Sequence, residues 1–342
     1  VTSSSLGLDD LVTILRAAGE DTRLRVLGLL AEGDLNVTDL TDILGQSQPR
    51  ISRHLKLLVE AGLVERHREG AWAFFRLAER GGRAELIRDV LARLDGADGT
   101  IAADASRLAA VRGARAQAAQ AYFARHAQDW DRIRSLHVPE DLVEAAVRDA
   151  VGERPIRALL DLGTGTGRML TLLAPLAARA IGIDASHAML AVARAGLERA
   201  GLSRVELRQG DILAPPVDRN AFDLVIIHQV LHYLDDPARA LSEAAALLAP
   251  GGRLLVVDFA PHALDFLRED HAHRRLGFGR EQMIGWLRDA GLDCLQTRDL
   301  APPRRGEEGG RPADQLTVSL WLAQDRRRIT DWPLREPGRE VA

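Results

Sequence analysis

The sequence predicts an α/β protein in two parts, a small helical unit closed by a hairpin and a larger unit built on a parallel sheet. Three observations predict it. Residues 8–94 hold short amphipathic segments punctuated by glycines at 19, 33, 45 and 62, followed by two strand-like runs. From Pro155 onward, apolar strand candidates alternate with helix candidates, the pattern of a sheet buried on both faces. At 342 residues and 46% hydrophobic content, the chain can bury a core in each part.

In the first part, "LDDLVTILRAAG", "EDTRLRVLGLLAEG", "NVTDLTDILG" and "SQPRISRHLKLLVEAG" read as helices, each ending on a glycine that accepts the left-handed backbone of a helix terminus. Ser47 is placed to cap the fourth, with Pro49 in its first turn. "LVERHR" and "AWAFFRL" read as strands joined by a turn at Glu69 and Gly70. A helix from Ala84 to Leu94 closes the unit. "DGADGT", Asp95 to Thr100, is the best linker candidate, and Ala- and Arg-rich helical sequence follows to about Gln128. The predicted boundaries are a first domain at 1–95 and a helical linker segment at 96–150.

In the second part, "IRALLDLG", "RAIGID", "RVELRQGD", "FDLVIIHQ" and "GRLLVVDF" are strand candidates. Between them "RMLTLLAPLA", "SHAMLAVARAGLERAG", which Ser186 can cap, and "DPARALSEAAALLAPGG" are helix candidates. The late strand "QLTVSLWLAQD" alternates polar and apolar residues as an antiparallel strand does. This domain is expected at 151–325. "PPRRGEEGGRP" and a tail at 326–342 read as mobile.

Composition excludes several classes. A net charge of -4 supplies no whole-molecule attraction to nucleic acid, so any such surface is a local patch. Cys294 is the only cysteine, which excludes an intramolecular disulfide and a multi-thiolate metal site and fits a reducing cytoplasm. His228 with His232, four apart, and His271 with His273, two apart, each lack an evident third ligand, so no metal is expected. The first residues lack the basic start and apolar run of a signal peptide, and no segment has the length of a membrane span.

The stretch "DLGTGTGRML", Asp161 to Leu170, is a strand-to-helix glycine loop. Its spacing, Gly163, Gly165, Gly167 with arginine at 168, departs from the dinucleotide fingerprint. No Gly-Lys-Ser/Thr follows, and Lys56 is the chain's only lysine, so it is not a P-loop. Asp184, ending the second strand in "GIDAS" beside Ala185, can accept hydrogen bonds from both hydroxyls of a ribose. Asp211 in "QGDI" can accept from an adenine amine, with Ile212 adding its N–H and apolar contact, and Asp161 can face a cationic amino group. Each aspartate taken singly also reads as a helix cap or turn residue; their order along one sheet favours the nucleoside.

On these motifs, and on "FDLVIIHQVLHYLDDP" and "LAPGGRLLVVDF", Asp161 to Phe259 resembles the class I S-adenosylmethionine-dependent methyltransferases, closest to the UbiE-like small-molecule group. The resemblance implies a Rossmann-like domain with a seven-stranded, mostly parallel sheet. It also implies S-adenosylmethionine or S-adenosylhomocysteine as cofactor, with Gly163, Thr164, Gly165 and Gly167 along its methionine part, Asp184 on ribose, and Asp211 with Ile212 on adenine. His228 would lie beside the methionine moiety, facing any small-molecule methyl acceptor. His228, His232 and Tyr233 are candidates to deprotonate or orient that acceptor, although His232 and Tyr233 equally fit packing roles. The segment Gln117 to Val147 precedes the first sheet strand, and in similar proteins such a segment forms a lid. Tyr122, Phe123 and Trp130 are its candidates to close the pocket, yet aromatics at helical spacing are also ordinary core residues.

Thr38 to Gly62 reads as helix, turn, helix, the second opening at Ser47. Gln46, Ser47, Gln48, Arg50, Ser52, Arg53, His54 and Lys56 supply the polar and cationic groups that contact bases and phosphates, and Arg66 and Arg68 flank the hairpin tip. Ile51, Leu55, Leu58 and Val59 repeat at helical spacing and belong inside. "SRHLKLLVEAGLVERHREGAWAFFRL" resembles the ArsR/SmtB winged-helix regulators. That resemblance implies a winged helix-turn-helix, a double-stranded DNA operator, and a homodimer through Leu8 to Ala18 and Ala84 to Leu94. Many relatives carry thiolates on the helix before the recognition helix; here that stretch is "GDLNVTDL", with Asn36 and Thr38, so metal sensing has no ligands there.

Two functions follow as expectations. One is a DNA-binding transcription regulator whose methyltransferase-like domain senses S-adenosylmethionine or S-adenosylhomocysteine; related fused regulators imply methionine-cycle genes as targets. The other is an active small-molecule methyltransferase with an attached winged helix.

Overall fold

The computed structural model describes all residues except 1–4, 70–71, 79–80, 131–138, 203, 301–315 and 328–342. The Gly70 turn, part of the segment from Gln117 to Val147 expected to form a lid, the "PPRRGEEGGRP" stretch and most of the tail therefore lie outside the described residues. The chain divides into two compact units, 1–118 and 119–342.

The first unit contains α1 (Leu8–Ala18), α2 (Asp21–Ala31), β1 (Leu35–Asn36), α3 (Val37–Leu44), α4 (Gln48–Glu60), β2 (Val64–Glu69), β3 (Trp72–Leu77) and α5 (Gly82–Leu91). The strands form an antiparallel sheet in the order β1-β3-β2. Glu69 pairs with Trp72, so β2 runs one residue further than the expected turn at Glu69 allows. Gly45 and Gly62 take left-handed backbone at the ends of α3 and α4, whereas Gly19 ends α1 at φ -74. Its requirement is space: a Cβ there would stand 2.8 Å from the Leu15 carbonyl oxygen. Ile14, Val26, Leu27, Leu40, Ile43, Ile51, Leu55, Leu58 and Ile87 meet in one core. Each such side chain removed from water contributes roughly 1.5–3 kcal/mol. The long α6 (Gly99–His126) adds Leu108 to this core.

The second unit contains α7 (Glu140–Val151), β4 (Ile156–Leu162), α8 (Arg168–Leu173), β5 (Ala177–Asp184), α9 (His187–Arg199), β6 (Glu206–Gln209), β7 (Phe222–His228), α10 (Pro237–Leu247), β8 (Leu248–Phe259), α11 (Phe266–Asp270), α12 (Arg280–Asp289), β9 (Leu292–Leu300) and β10 (Val318–Asp325). Among the described residues the sheet has seven strands in the order β6-β5-β4-β7-β8-β10-β9. β6 through β8 run parallel, and β10 is antiparallel to both its neighbours, as its alternation predicts. Two apolar clusters cover its faces, and successive strand residues divide between them: Leu224 and Ile226 face one, Val225 and Ile227 the other. A sheet buried on both faces is why these strands read as continuous apolar runs. The strand order reverses beside β4, so the crevice beyond the carboxyl ends of β4 and β5 is where a ligand binds in open sheets of this kind.

Candidate functional site

The glycine loop leaves β4 at that crevice. Gly163, Gly165 and Gly167 have φ of 73, 54 and 81, values that L side chains rarely adopt. The N–H groups of Gly163 and Thr164 both donate to the Ile183 carbonyl, at 2.8 and 2.9 Å, which fastens the loop to the end of β5. Gly163 also has a steric reason: a Cβ there would stand 2.4 Å from Val230 Cγ2. Thr164 donates its hydroxyl to Asp161 at 2.6 Å, and Asp161 is 1% exposed. Asp161 therefore braces the loop from below.

Asp184 ends β5. One carboxylate oxygen accepts the Gly165 N–H and the other the Ser186 N–H, both at 2.8 Å. Burial pushes its carboxyl above the ordinary range, against the lowering effect of those two backbone donors. Each oxygen keeps a second lone pair, so the group presents two fixed acceptors to a diol. This pair of acceptors fits a ribose, and the small, left-handed loop fits a backbone that must approach its ligand. Ala185 is exposed beside it, and Ser186 caps α9 by accepting the Met189 N–H at 3.3 Å.

Asp211 follows β6, the strand next to β5; it is exposed and accepts the Leu213 N–H at 2.9 Å, while Ile212 is 8% exposed. Asp161, Asp184 and Asp211 thus mark the same edge of three adjacent strands. His228 is half-buried at the end of β7, on the other side of β4.

The aromatic residues form a cluster of their own. Tyr122 and Trp130 are 5% and 9% exposed and pack with Met189, Phe123 and Tyr233. Phe123 meets Tyr233 edge-on at 4.8 Å and Trp130 at 5.3 Å between ring centroids. Trp130 Nε1 lies 3.9 Å from where a Cβ on Gly165 would stand, which puts the indole against the loop. The Tyr122 hydroxyl is 2.7 Å from His271 Nδ1, and burial raises its pKa. His232 is buried, with Nδ1 2.7 Å from Asp258, which is fully buried and also accepts the Phe259 N–H. His273 packs against His232 with the rings tilted by 38° and their centroids 4.2 Å apart. Val230 and Asp258 lie inside stretches that carry the methyltransferase resemblance and His271 reads in the sequence only as half of a histidine pair; the roles of all three at this site come from contacts that only the folded chain makes. Among the described residues no three or more His, Cys, Asp or Glu side chains gather as metal ligands.

In the first unit α4 buries Ile51, Leu55 and Leu58 and exposes Ser47, Gln48, Arg50, Ser52, Arg53 and Lys56. Arg66 is exposed on β2, and the Arg68 side chain lies outside the described residues. Ser47 occupies the N-cap position without a side-chain capping bond. Gln46 is turned inward and donates to Thr22 at 3.2 Å. His54 also faces its own unit, 3.6 Å from Glu20, and desolvation lowers its pKa, so it is neutral near pH 7. α3 opens with a capping box in which Asn36 and Asp39 each accept the other's backbone N–H.

Residues 160–256 match the family described as methyltransferase domain, and residues 20–66 match the bacterial regulatory proteins of the arsR family. A demethylmenaquinone methyltransferase of Clavibacter sepedonicus is 35% identical over 181 residues, covering 45% of this chain and 71% of that protein. The uncharacterized methyltransferase YcgJ of Bacillus subtilis is 32% identical over 187 residues, covering 50% and 74%. Other curated relatives are matched over less of their length: the chain spans 33% of an uncharacterized protein in transposon TN4556 of Streptomyces fradiae and 52% of a demethylmenaquinone methyltransferase of Thermus thermophilus, each 40% identical. Among solved structures, N-methyltransferase NodS from Bradyrhizobium japonicum in complex with S-adenosyl-L-homocysteine is 22% identical with a TM-score of 0.49, covering 61% of this chain and 99% of that one. No helix among the described residues is long and apolar enough to cross a membrane.

Proposed function

We propose that this chain, which belongs to the class I methyltransferases and carries an arsR-family winged helix-turn-helix ahead of that domain, is a cytoplasmic transcription regulator. Its effector in this reading is S-adenosylmethionine or S-adenosylhomocysteine. The observation that carries it is one chain with a loop and carboxylate set suited to a nucleoside bearing an amino acid, and a helix whose outer face is polar and cationic. Gly163, Thr164, Gly165 and Gly167 would hold the methionine part, with Asp161 bracing them. Asp184 would take the ribose hydroxyls, and Asp211 with Ile212 the adenine. Ser47, Gln48, Arg50, Ser52, Arg53, Lys56 and Arg66 would meet DNA, the cations on phosphate and the first-turn side chains on base edges. A double-stranded operator read by a homodimer, with methionine-cycle genes as targets, extends the same reading.

Ligand control requires different ligand affinity in the DNA-competent and incompetent states, and a tenfold ratio corresponds to about 1.4 kcal/mol. Calorimetric titration with both forms of the cofactor, with and without the DNA upstream of the coding sequence, tests this. Unequal affinity in the two conditions is expected; equal affinity for both forms with and without bound DNA removes the regulator reading.

A second reading, turnover as a methyltransferase, is favoured by the His232–Asp258 pair. When bound, S-adenosylmethionine supplies an activated methyl on sulfur. Asp258 would hold the Nδ1–H tautomer of His232, leaving Nε2 to accept the proton that an acceptor releases. Alignment and water exclusion can supply about 7–11 kcal/mol of such a reaction. Incubation with labelled cofactor and a cell extract tests it, and absence of protein-dependent transfer counts against it.

A further inference from the structure

We propose that α6 carries the ligand's state at the glycine loop to the DNA-reading unit, an inference that rests on the regulator reading above. The helix runs unbroken from Gly99 to His126, and its side chains serve both units.

Its earlier turns are tied to the first unit. Asp104, 3% exposed, accepts a two-pronged bond from Arg25 of α2 at 2.6 and 2.7 Å. Arg107 donates to the Ile43 carbonyl at 3.2 Å, and Arg112 to the Glu32 carbonyl at 2.6 Å. Arg115 pairs with Asp39, the residue that completes the capping box of α3. α3 precedes the recognition helix and shares its core. A displacement of Arg115 therefore acts on the support of the DNA-facing helix.

Its last turns belong to the second unit. Tyr122 and Phe123 pack with Trp130, and Trp130 stands against Gly165. Tyr122 is also held by His271. A ligand entering along the glycine loop must move or order these rings.

Arg115 and Tyr122 are seven residues apart, about 10 Å along a helix axis at roughly 1.5 Å per residue. The run Ala114 to Ala121 contains only alanine, glutamine and arginine, without glycine or proline, so it is made of strong helix formers. A segment this short and this helical does not absorb a shift at one end without breaking backbone hydrogen bonds, and passes it on instead.

The test uses the full chain. Four residues, Gly-Ser-Gly-Gly, are inserted between Ala118 and Ala119, and Arg115→Gln and Arg115→Lys are made separately. Calorimetry gives the affinity for S-adenosylhomocysteine and S-adenosylmethionine. Fluorescence anisotropy gives the affinity for the upstream duplex at fixed salt, with and without each ligand. The expected wild-type response is about tenfold in DNA affinity. The insertion is expected to change the two separate affinities less than about threefold and to cut the response below about twofold. Arg115→Gln is expected to reduce the response partially and Arg115→Lys to restore it, whereas a residue needed only for stability lowers the melting temperature and leaves the response intact. If the insertion prevents folding, the Arg115 pair decides. A full response in the variants while wild type responds overturns the coupling alone; a wild type that binds the duplex without any ligand response overturns the regulator reading and the coupling with it.

Discussion

Gly163→Ala tests the geometry on which the cofactor site depends. Two costs are separable in the structure. The left-handed φ of 73 costs an L residue about 1–2 kcal/mol. The new Cβ would also stand 2.4 Å from Val230 Cγ2 and 2.9 Å from Cγ1. Val230 has no flexible end to withdraw, so the contact is overpacking worth about 1–3 kcal/mol. Val230→Ala deletes both Cγ atoms and leaves the Val230 Cβ at 3.2 Å, a contact that a small shift relieves. The cost of Gly163→Ala is therefore expected to be about 2–5 kcal/mol alone and about 1–2 kcal/mol in the Val230→Ala background. Because two units need not unfold together, hydrogen exchange of the peptides spanning β4 and the loop, followed through a urea series, is the assay. Calorimetry on the same proteins should find S-adenosylhomocysteine binding lost in the single variant and partly recovered in the double. Equal costs in both backgrounds would refute the steric part, leaving backbone conformation as the only demand on Gly163.

Asp184→Asn replaces one oxygen with an NH2 that faces a backbone donor, so binding of either cofactor form should weaken more than about tenfold, since an unsatisfied buried group costs about 1–3 kcal/mol. In the wild type the raised Asp184 pKa sets two opposite trends as pH falls toward the ordinary 3.8: the native state binds the extra proton, so ligand-free stability of this unit rises, while ligand affinity falls because a neutral carboxyl is a poorer acceptor for hydroxyls. Denaturation and calorimetry across that window, with Asp184→Asn lacking both trends, check the assignment. On α4, Arg50→Ala and Arg53→Ala should each cost about 1–3 kcal/mol of DNA affinity or lower the salt slope by about one, read by anisotropy over a salt series. His54→Ala should instead lower the melting temperature and leave the salt slope unchanged, because that ring faces Glu20.

The strands and the loop were legible because their signals are local. Continuous apolar runs mark a doubly covered sheet, three left-handed glycines mark a tight turn, and Ser186 caps its helix as expected. The sequence reading assigns no element to 280–300, where α12 and β9 lie. β9 is the sheet's edge and reads "LDCLQTRDL", with polar residues on both faces, so the alternation that reveals a strand is absent. Contacts between distant residues were illegible for a different reason. Val230 against Gly163, Asp258 under His232, and His271 on Tyr122 join segments that only the fold brings together. The division of the α4 side chains was half legible: helical spacing separates Ile51, Leu55 and Leu58 from the exposed face, but His54 sits three residues after Ile51, on the margin that a partly buried acceptor such as Glu20 can claim.

The stretch "GDLNVTDL" offers no thiolate, and the structure gives its polar residues another use. Asn36 and Asp39 satisfy each other's backbone at the start of α3, and Asp39 also pairs with Arg115. The two halves of the capping box are thereby unequal. Asn36→Ala removes a cap worth about 0.5–2 kcal/mol. Asp39→Ala removes the reciprocal bond together with the carboxylate that pairs with Arg115, and a hydrogen bond between charged groups contributes a further ~1.5–3 kcal/mol. Hydrogen exchange of α3 peptides should therefore rank Asp39→Ala well above Asn36→Ala, and Arg115→Gln should narrow the gap between them. Equal destabilisation by the two alanine variants would mean that residue 39 serves the cap alone, and that Arg115 exerts no hold on α3, the helix ahead of α4.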